Sequence, residues 1–206
     1  MKVSSIFLSV NGECCKWGQG SWAVFVKISS DSTICELTIP VIIDRVAETG
    51  KGIKRVVILG DEPTEQKQLD CLLGALRTRS FEVSVETNGV EPRRVRDLIK
   101  KFPEVSWVVD YKLKSAGDVS LFSSVKLHDT LHYGCFSRFV ISNYEDFHIA
   151  ESVVEDLYPC MHRLYFSPEQ PLDPIKLYRW MKESEICIRS FIGYSYPIQR
   201  IIFKEG

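Results

Sequence analysis

The sequence predicts an α/β fold with a parallel sheet core, entered through an N-terminal strand pair. Three observations carry that reading. Runs such as RVVILG at 55–60 are continuously apolar, as strands covered on both faces of a parallel sheet are. Segments with helical apolar spacing separate successive runs, which is the pattern of right-handed βαβ units. Two further runs, SSIFLSV at 4–10 and WAVFVKI at 22–28, precede that alternation and are joined by a loop holding Gly12, Gly18 and Gly20.

The elements follow in order. Residues 41–49 (VIIDRVAET) form a short amphipathic helix closed by Gly50 and Gly52. After strand 55–60, residues 65–79 place Leu69, Leu72, Leu73 and Leu76 at i, i+3, i+4 and i+7, one stripe of a helix. Strand 82–87 (EVSVET), helix 91–101, strand 105–112 (VSWVVDYK), a weaker helical stretch at 119–132 and strand 137–142 (SRFVIS) come next. Helix 145–157, strand 163–167 (RLYFS), helix 173–184 and strand 186–191 (ICIRSF) complete the run. With no repeat, low-complexity tract or linker, a single domain spanning 1–206 is expected.

Composition excludes several classes. A formal net charge of −1 gives no general pull toward nucleic acid or an acidic membrane. No apolar run approaches the roughly 20 residues that cross a bilayer, and the opening MKVSSIFLSVNGE is too polar after Val10 for a secretion signal. A cytoplasmic protein is expected. The seven cysteines are odd in number and irregular in spacing, without a C-x-x-C pair, so Cys71, Cys135, Cys160 and Cys187 read as buried free thiols.

Polar residues gather just after the strands: Gly60-Asp61-Glu62-Pro63, Glu86-Thr87-Asn88-Gly89, Asp110-Tyr111-Lys112, Ser142-Asn143 and Ser167-Pro168-Glu169. Ligands of parallel α/β folds bind at that edge of the sheet, so these loops are the candidate site.

The order of these segments resembles the radical S-adenosylmethionine superfamily, and within it the 7-carboxy-7-deazaguanine synthases of 7-deazapurine (queuosine) biosynthesis. FLSVNGE at 7–13 resembles that family's first strand and Gly-Glu turn. VVILGDEPTEQKQLDCLLGAL resembles its strand, Gly-Gly-Glu-Pro motif and following helix; VSVETNG matches a Glu-Thr-Asn-Gly segment; VVDYKLKSAG resembles an Asp-Tyr-Lys-Leu-Pro-Ser-Ser-Gly segment. FSRFVISNYEDF and YFSPEQPLDPIKLYRWMKE resemble the later strands and last helix. The resemblance implies a partial (β/α)6 barrel and a homodimer. It implies that Gly60, Glu62, Glu86 and Asn88 line a cofactor pocket, with Glu62 on the methionyl amino group of S-adenosylmethionine. It also implies that Glu13, Lys27 and Thr87 face a pterin or deazapurine ligand. Lys27 replaces the more usual arginine, keeping charge but losing the two-pronged donor. Asp61 replaces a glycine.

One family feature is broken. Where the family carries Cys-x-x-x-Cys-x-x-Cys for a 4Fe–4S cluster, FVKISSDSTICELTIP places Asp31, Cys35 and Thr38. A single thiolate does not meet the demand of an iron–sulfur cluster for soft ligands. The Asp-Thr that follows in the family, whose threonine serves a magnesium ion, is here Ile39-Pro40, and neither side chain binds a hard cation. The expectation is a catalytically inactive relative without cluster or magnesium, still compatible with S-adenosylmethionine, that binds a partner protein or a small ligand. The alternative is an active enzyme whose cluster uses Cys14, Cys15 or a second subunit's cysteines. His128 and His132 at i, i+4 read as a surface or partly buried pair rather than a zinc site, and Gln199 and Arg200 stand nearest the family's basic ending. RRVRDLIKK at 93–101, near Trp107 in sequence, reads as a solvated helix face rather than a nucleic-acid surface. Trp17, Trp22 and Trp180 are expected in the core or a dimer interface.

Overall fold

A computed structural model describes residues 1–12, 15–89, 91–113, 115, 134–156 and 163–196. Its strands form one eight-stranded sheet whose spatial order follows the chain. They are β1 (Val3–Asn11), β2 (Ser21–Ile28), β3 (Arg55–Gly60), β4 (Glu82–Thr87), β5 (Ser106–Lys112), β6 (Phe136–Ile141), β7 (Leu164–Pro168) and β8 (Gly193–Tyr194). The first pair is antiparallel, as the sequence predicts, while β2/β3, β3/β4, β6/β7 and β7/β8 are parallel. The sheet does not close on itself. Met1–Thr87 and Glu91–Val108 belong to one compact unit, and Asn88–Val90 and Val109–Pro197 to a second.

In the first unit, helices α1 (Ile39–Gly50), α2 (Leu69–Thr78) and α3 (Pro92–Lys101) bury the apolar stripes that the sequence supplies. Leu69, Leu72, Leu73 and Leu76 are each no more than 1% exposed. Burial of that kind contributes about 1.5–3 kcal/mol per side chain before chain entropy is counted. Thr38 stands at the start of α1 in extended backbone, with a proline in the first turn, where the missing N–H leaves no bond unmade. On α3, Val95, Leu98 and Ile99 are buried while the basic residues face outward, and Trp107 is buried in β5 with its indole N–H on the Phe102 carbonyl. Trp107 is therefore a core residue.

The second unit is built on aromatic packing. Phe139 of β6 and Phe166 of β7 meet edge to face at 5.4 Å, and Phe147 of helix α4 (Tyr144–Asp156) meets Phe166 at 5.9 Å. Helix α5 (Pro174–Glu183) is capped by Asp173, whose carboxylate accepts the Ile175 N–H at 2.9 Å.

Three expectations need correction. Residues 186–191 are not a strand: Glu185–Arg189 form helix α6. Ser184 accepts the Cys187 N–H at 3.1 Å, and this cap outweighs the β propensity of ICIRSF. The predicted helix at 65–79 starts later, after a short 3-10 turn at Pro63–Glu65. Cys71 is exposed, since it lies off the leucine stripe of α2, whereas Cys135 and Cys187 are buried as expected. Trp22 is 52% exposed near the start of β2, although Val24 and Val26 on the same face of the strand are buried. The helical stretch at 119–132 with its histidines, together with Cys160, Gln199 and Arg200, lies outside the described residues. No described helix is long and apolar enough to cross a membrane.

Candidate functional site

The first unit joins the ends of β3 and β4 through one carboxylate. Gly60 closes β3 with φ +131, and a Cβ there would lie 2.0 Å from the Ile28 carbonyl oxygen, so this position requires glycine. The turn that follows buries Glu62, which is 6% exposed. Its Oε1 accepts the Thr64 N–H at 3.0 Å, the Thr64 hydroxyl, and the Thr87 hydroxyl at 2.6 Å. Donors from two different chain segments fix the orientation of the carboxylate. The sequence pointed to Gly60, Glu62 and Thr87, and the structure brings them to one edge. It did not point to Thr64, whose signal was its place two residues after a turn carboxylate.

Asp61 sits beside this group and faces the loop that leaves β2. Its Oδ2 accepts the Ser30 N–H at 2.7 Å and the Ser30 hydroxyl at 2.6 Å. Those bonds, the hydroxyl first, hold the Asp61 carboxyl below the usual carboxylate range, and the nearby Lys27 charge acts in the same direction. Lys27 is exposed on β2 opposite Leu59 of β3. Glu86 is half-buried on β4, and Asn88 is half-buried just beyond it. Glu13 and Cys14 lie outside the described residues.

The loop at 29–38 carries the three positions at which a cluster would be ligated. Asp31 accepts the Thr33 N–H at 2.8 Å and the Thr33 hydroxyl at 2.9 Å, which hold its carboxyl below the usual range and spend it on a local turn. Thr38 heads α1, its carbonyl accepting the Ile42 N–H. Cys35 is exposed and supplies the single thiol of the three positions. Cys15 is buried, accepts the Asn11 side-chain N–H at 3.1 Å, and its thiol is pushed up by burial. Among the described residues no group of three His, Cys, Asp or Glu side chains could hold a metal ion. The described donors do not fit a 4Fe–4S cluster.

Among the described residues between β1 and β2, Lys16 and Trp17 are held by contacts. Lys16 donates its N–H to the Ser106 hydroxyl at 3.3 Å and its ammonium to the Glu104 carbonyl at 2.9 Å. Trp17 packs against Ala23, Phe25 and Val57, consistent with the core role expected of it.

In the second unit, Asp110 is committed to Arg138. The guanidinium meets the carboxylate in two parallel bonds, Nε to Oδ1 at 2.8 Å and Nη2 to Oδ2 at 2.9 Å, with the arginine side chain 9% exposed. Sequence reading passed over Arg138, whose signal is a lone charge inside the apolar run FSRFVI.

Comparison with known proteins agrees with the motif reading. No protein-family model matches the chain. A 7-carboxy-7-deazaguanine synthase from Neisseria meningitidis serogroup B is 27% identical over 123 residues, covering 54% of this chain and 56% of that protein. Streptococcus suis SuiB bound to S-adenosylmethionine superposes with a TM-score of 0.56 at 17% identity, covering 79% of this chain and 44% of SuiB. SuiB bound to its precursor peptide SuiA gives a TM-score of 0.56 at 16% identity over 82% of this chain. The chain thus spans about half the length of each. The sequence likeness to the synthase is distant, and the fold is an open α/β sheet similar to that of SuiB.

Proposed function

We propose that this chain is a cluster-free relative of the 7-carboxy-7-deazaguanine synthases that acts by binding, not by radical chemistry. One contrast carries the reading. Glu62 is kept buried and held by Thr64 and Thr87, while the loop at 29–38, bonded to the adjacent Asp61, offers one thiol where three are needed. A carboxylate oriented in this way suits the ammonium group of a small ligand, and S-adenosylmethionine is the first candidate. A pterin or deazapurine beside Lys27, Glu86 and Asn88 is the second. SuiB's capture of a precursor peptide supports a protein partner as a third. A homodimer and an accessory place in 7-deazapurine biosynthesis complete the proposal.

The competing reading is an active enzyme using relocated cysteines. Cys15 speaks against it, since its sulfur is buried and already accepts a bond from the Asn11 side chain. Anaerobic reconstitution with iron and sulfide separates the two: the proposal expects no stoichiometric thiolate-to-iron absorbance, and a full complement would falsify it. Calorimetry with S-adenosylmethionine, a carboxypterin and a deazaguanine tests the small-ligand form. Heat that disappears in Glu62→Gln supports it, and no heat from any of the three removes it.

A further inference from the structure

The loop at 29–38 is fastened along its length by bonds that need no cofactor. At its start, Ser30 gives both its N–H and its hydroxyl to Asp61 Oδ2, at 2.7 and 2.6 Å, and the Ser29 hydroxyl approaches the same oxygen at 3.5 Å. The Asp61 N–H in turn donates to the Ile28 carbonyl at 3.2 Å, so residue 61 grips the exit of β2 through backbone and side chain together. Gly60 makes this possible, because its bare α-carbon lets the two backbones touch. In the middle, the Asp31 N–H donates to the Ser29 hydroxyl at 3.1 Å, and Asp31 closes its own turn onto Thr33. At the far end, Met1 and Leu37 exchange backbone bonds of 2.9 and 2.8 Å, and Lys2 bridges to Glu36.

We propose that Asp61 is a latch: its carboxylate locks the first turn of this loop against the end of β3, so that the loop is a preformed surface presenting Cys35 rather than a flap that orders around a bound group. The chemistry favours aspartate at this position. A glycine has no acceptor to offer Ser30, and an asparagine has one neutral oxygen in place of a charged one. The Lys2 carbonyl also accepts the Ser29 N–H at 3.1 Å, and the Asp31 turn closes on itself, so the share of the latch is the tie between Ser30 and the end of β3. This inference goes beyond the ligand-binding proposal and stands without it, because it concerns the loop in the unliganded chain.

Amide hydrogen exchange on the full chain tests it, in the wild type, in Asp61→Gly and in the near-isosteric Asp61→Asn. Peptides covering residues 29–35 of Asp61→Gly should exchange about tenfold faster or more. Peptides from α2 and β4 should keep their protection, and Cys35 should label faster with a maleimide. Asp61→Asn should show the same local change at smaller size. Unchanged exchange at 29–35 in both variants overturns the latch. If Asp61→Gly fails to fold, Asp61→Asn decides alone: local loosening at 29–35 supports the proposal, and wild-type exchange there refutes it.

Discussion

The hydroxyl of Thr87 donates to Glu62 Oε1 at 2.6 Å, so the last residue of β4 holds a carboxylate from the turn that follows β3. Both groups are buried, and removing one donor leaves the carboxylate under-satisfied in a place water does not fill. Thr87→Val keeps the shape and deletes the hydroxyl. We expect it to lower stability by about 1–3 kcal/mol in urea denaturation, while Thr87→Ser, which can still donate, recovers most of the loss. Equal midpoints for Thr87→Val and the wild type would show that this bond contributes nothing.

The Arg138–Asp110 pair makes a different demand. Two parallel bonds satisfy both charges in a setting where the arginine is nearly covered. Breaking a buried pair from one side strands the other charge and costs about 3–5 kcal/mol. Arg138→Met should therefore destabilise strongly. The double variant Arg138→Met with Asp110→Leu should recover a large part, since it leaves no buried charge behind. If the double variant is as unstable as the sum of the singles, the two residues are not coupled.

Much of the sheet was legible because its strands are strongly patterned. RVVILG and EVSVET could be placed from burial periodicity, and the leucines of α2 from helical spacing. The site was half legible. Glu62 and Thr87 could be read because they stand at the carboxyl ends of strands, the edge at which parallel α/β folds bind ligands. Ser30 and Thr64 could not, because short hydroxyl residues in a turn look the same whether they face water or a carboxylate. The ICIRSF segment was misread for a related reason. Its apolar residues fit a strand, and the deciding group was the hydroxyl of Ser184, two residues before the window.

Acid should act on Asp70 in a known direction. Its carboxylate lies 2.7 Å from the ammonium of Lys101 and 2.7 Å from the guanidinium of Arg94. The Lys101 bond first, then the Arg94 charge, holds its folded-state pKa below the ordinary carboxylate value. A depressed folded pKa contributes stability that is present above the unfolded value of about 3.9 and is lost as pH falls through the folded one. Asp70→Asn should therefore lower the urea midpoint at neutral pH, and the gap from the wild type should close as the pH falls through the depressed folded-state value. The half-exposed lysine and arginine screen the effect, which keeps it near the surface-pair range of about 0.2–1 kcal/mol per partner. A gap that widens in acid would contradict the sign.

Thiol chemistry separates the cysteines of the native chain. Cys35 and Cys71 are exposed, while Cys15, Cys135 and Cys187 are buried. Burial pushes the Cys135 thiol up to about 12 and the Cys187 thiol up to about 11. Only the thiolate attacks a maleimide, and each pKa step of one unit lowers its fraction about tenfold at a given pH. Brief labelling at pH 8 followed by peptide mapping should thus mark Cys35 and Cys71, leaving Cys135 and Cys187 at least about a hundredfold slower. The same experiment after anaerobic treatment with iron and sulfide bears on the chemistry of the loop. If Cys35 ligated a relocated cluster, the treatment would protect it from the maleimide. A cluster-free chain labels Cys35 at the same rate before and after, because its thiol has no iron to leave.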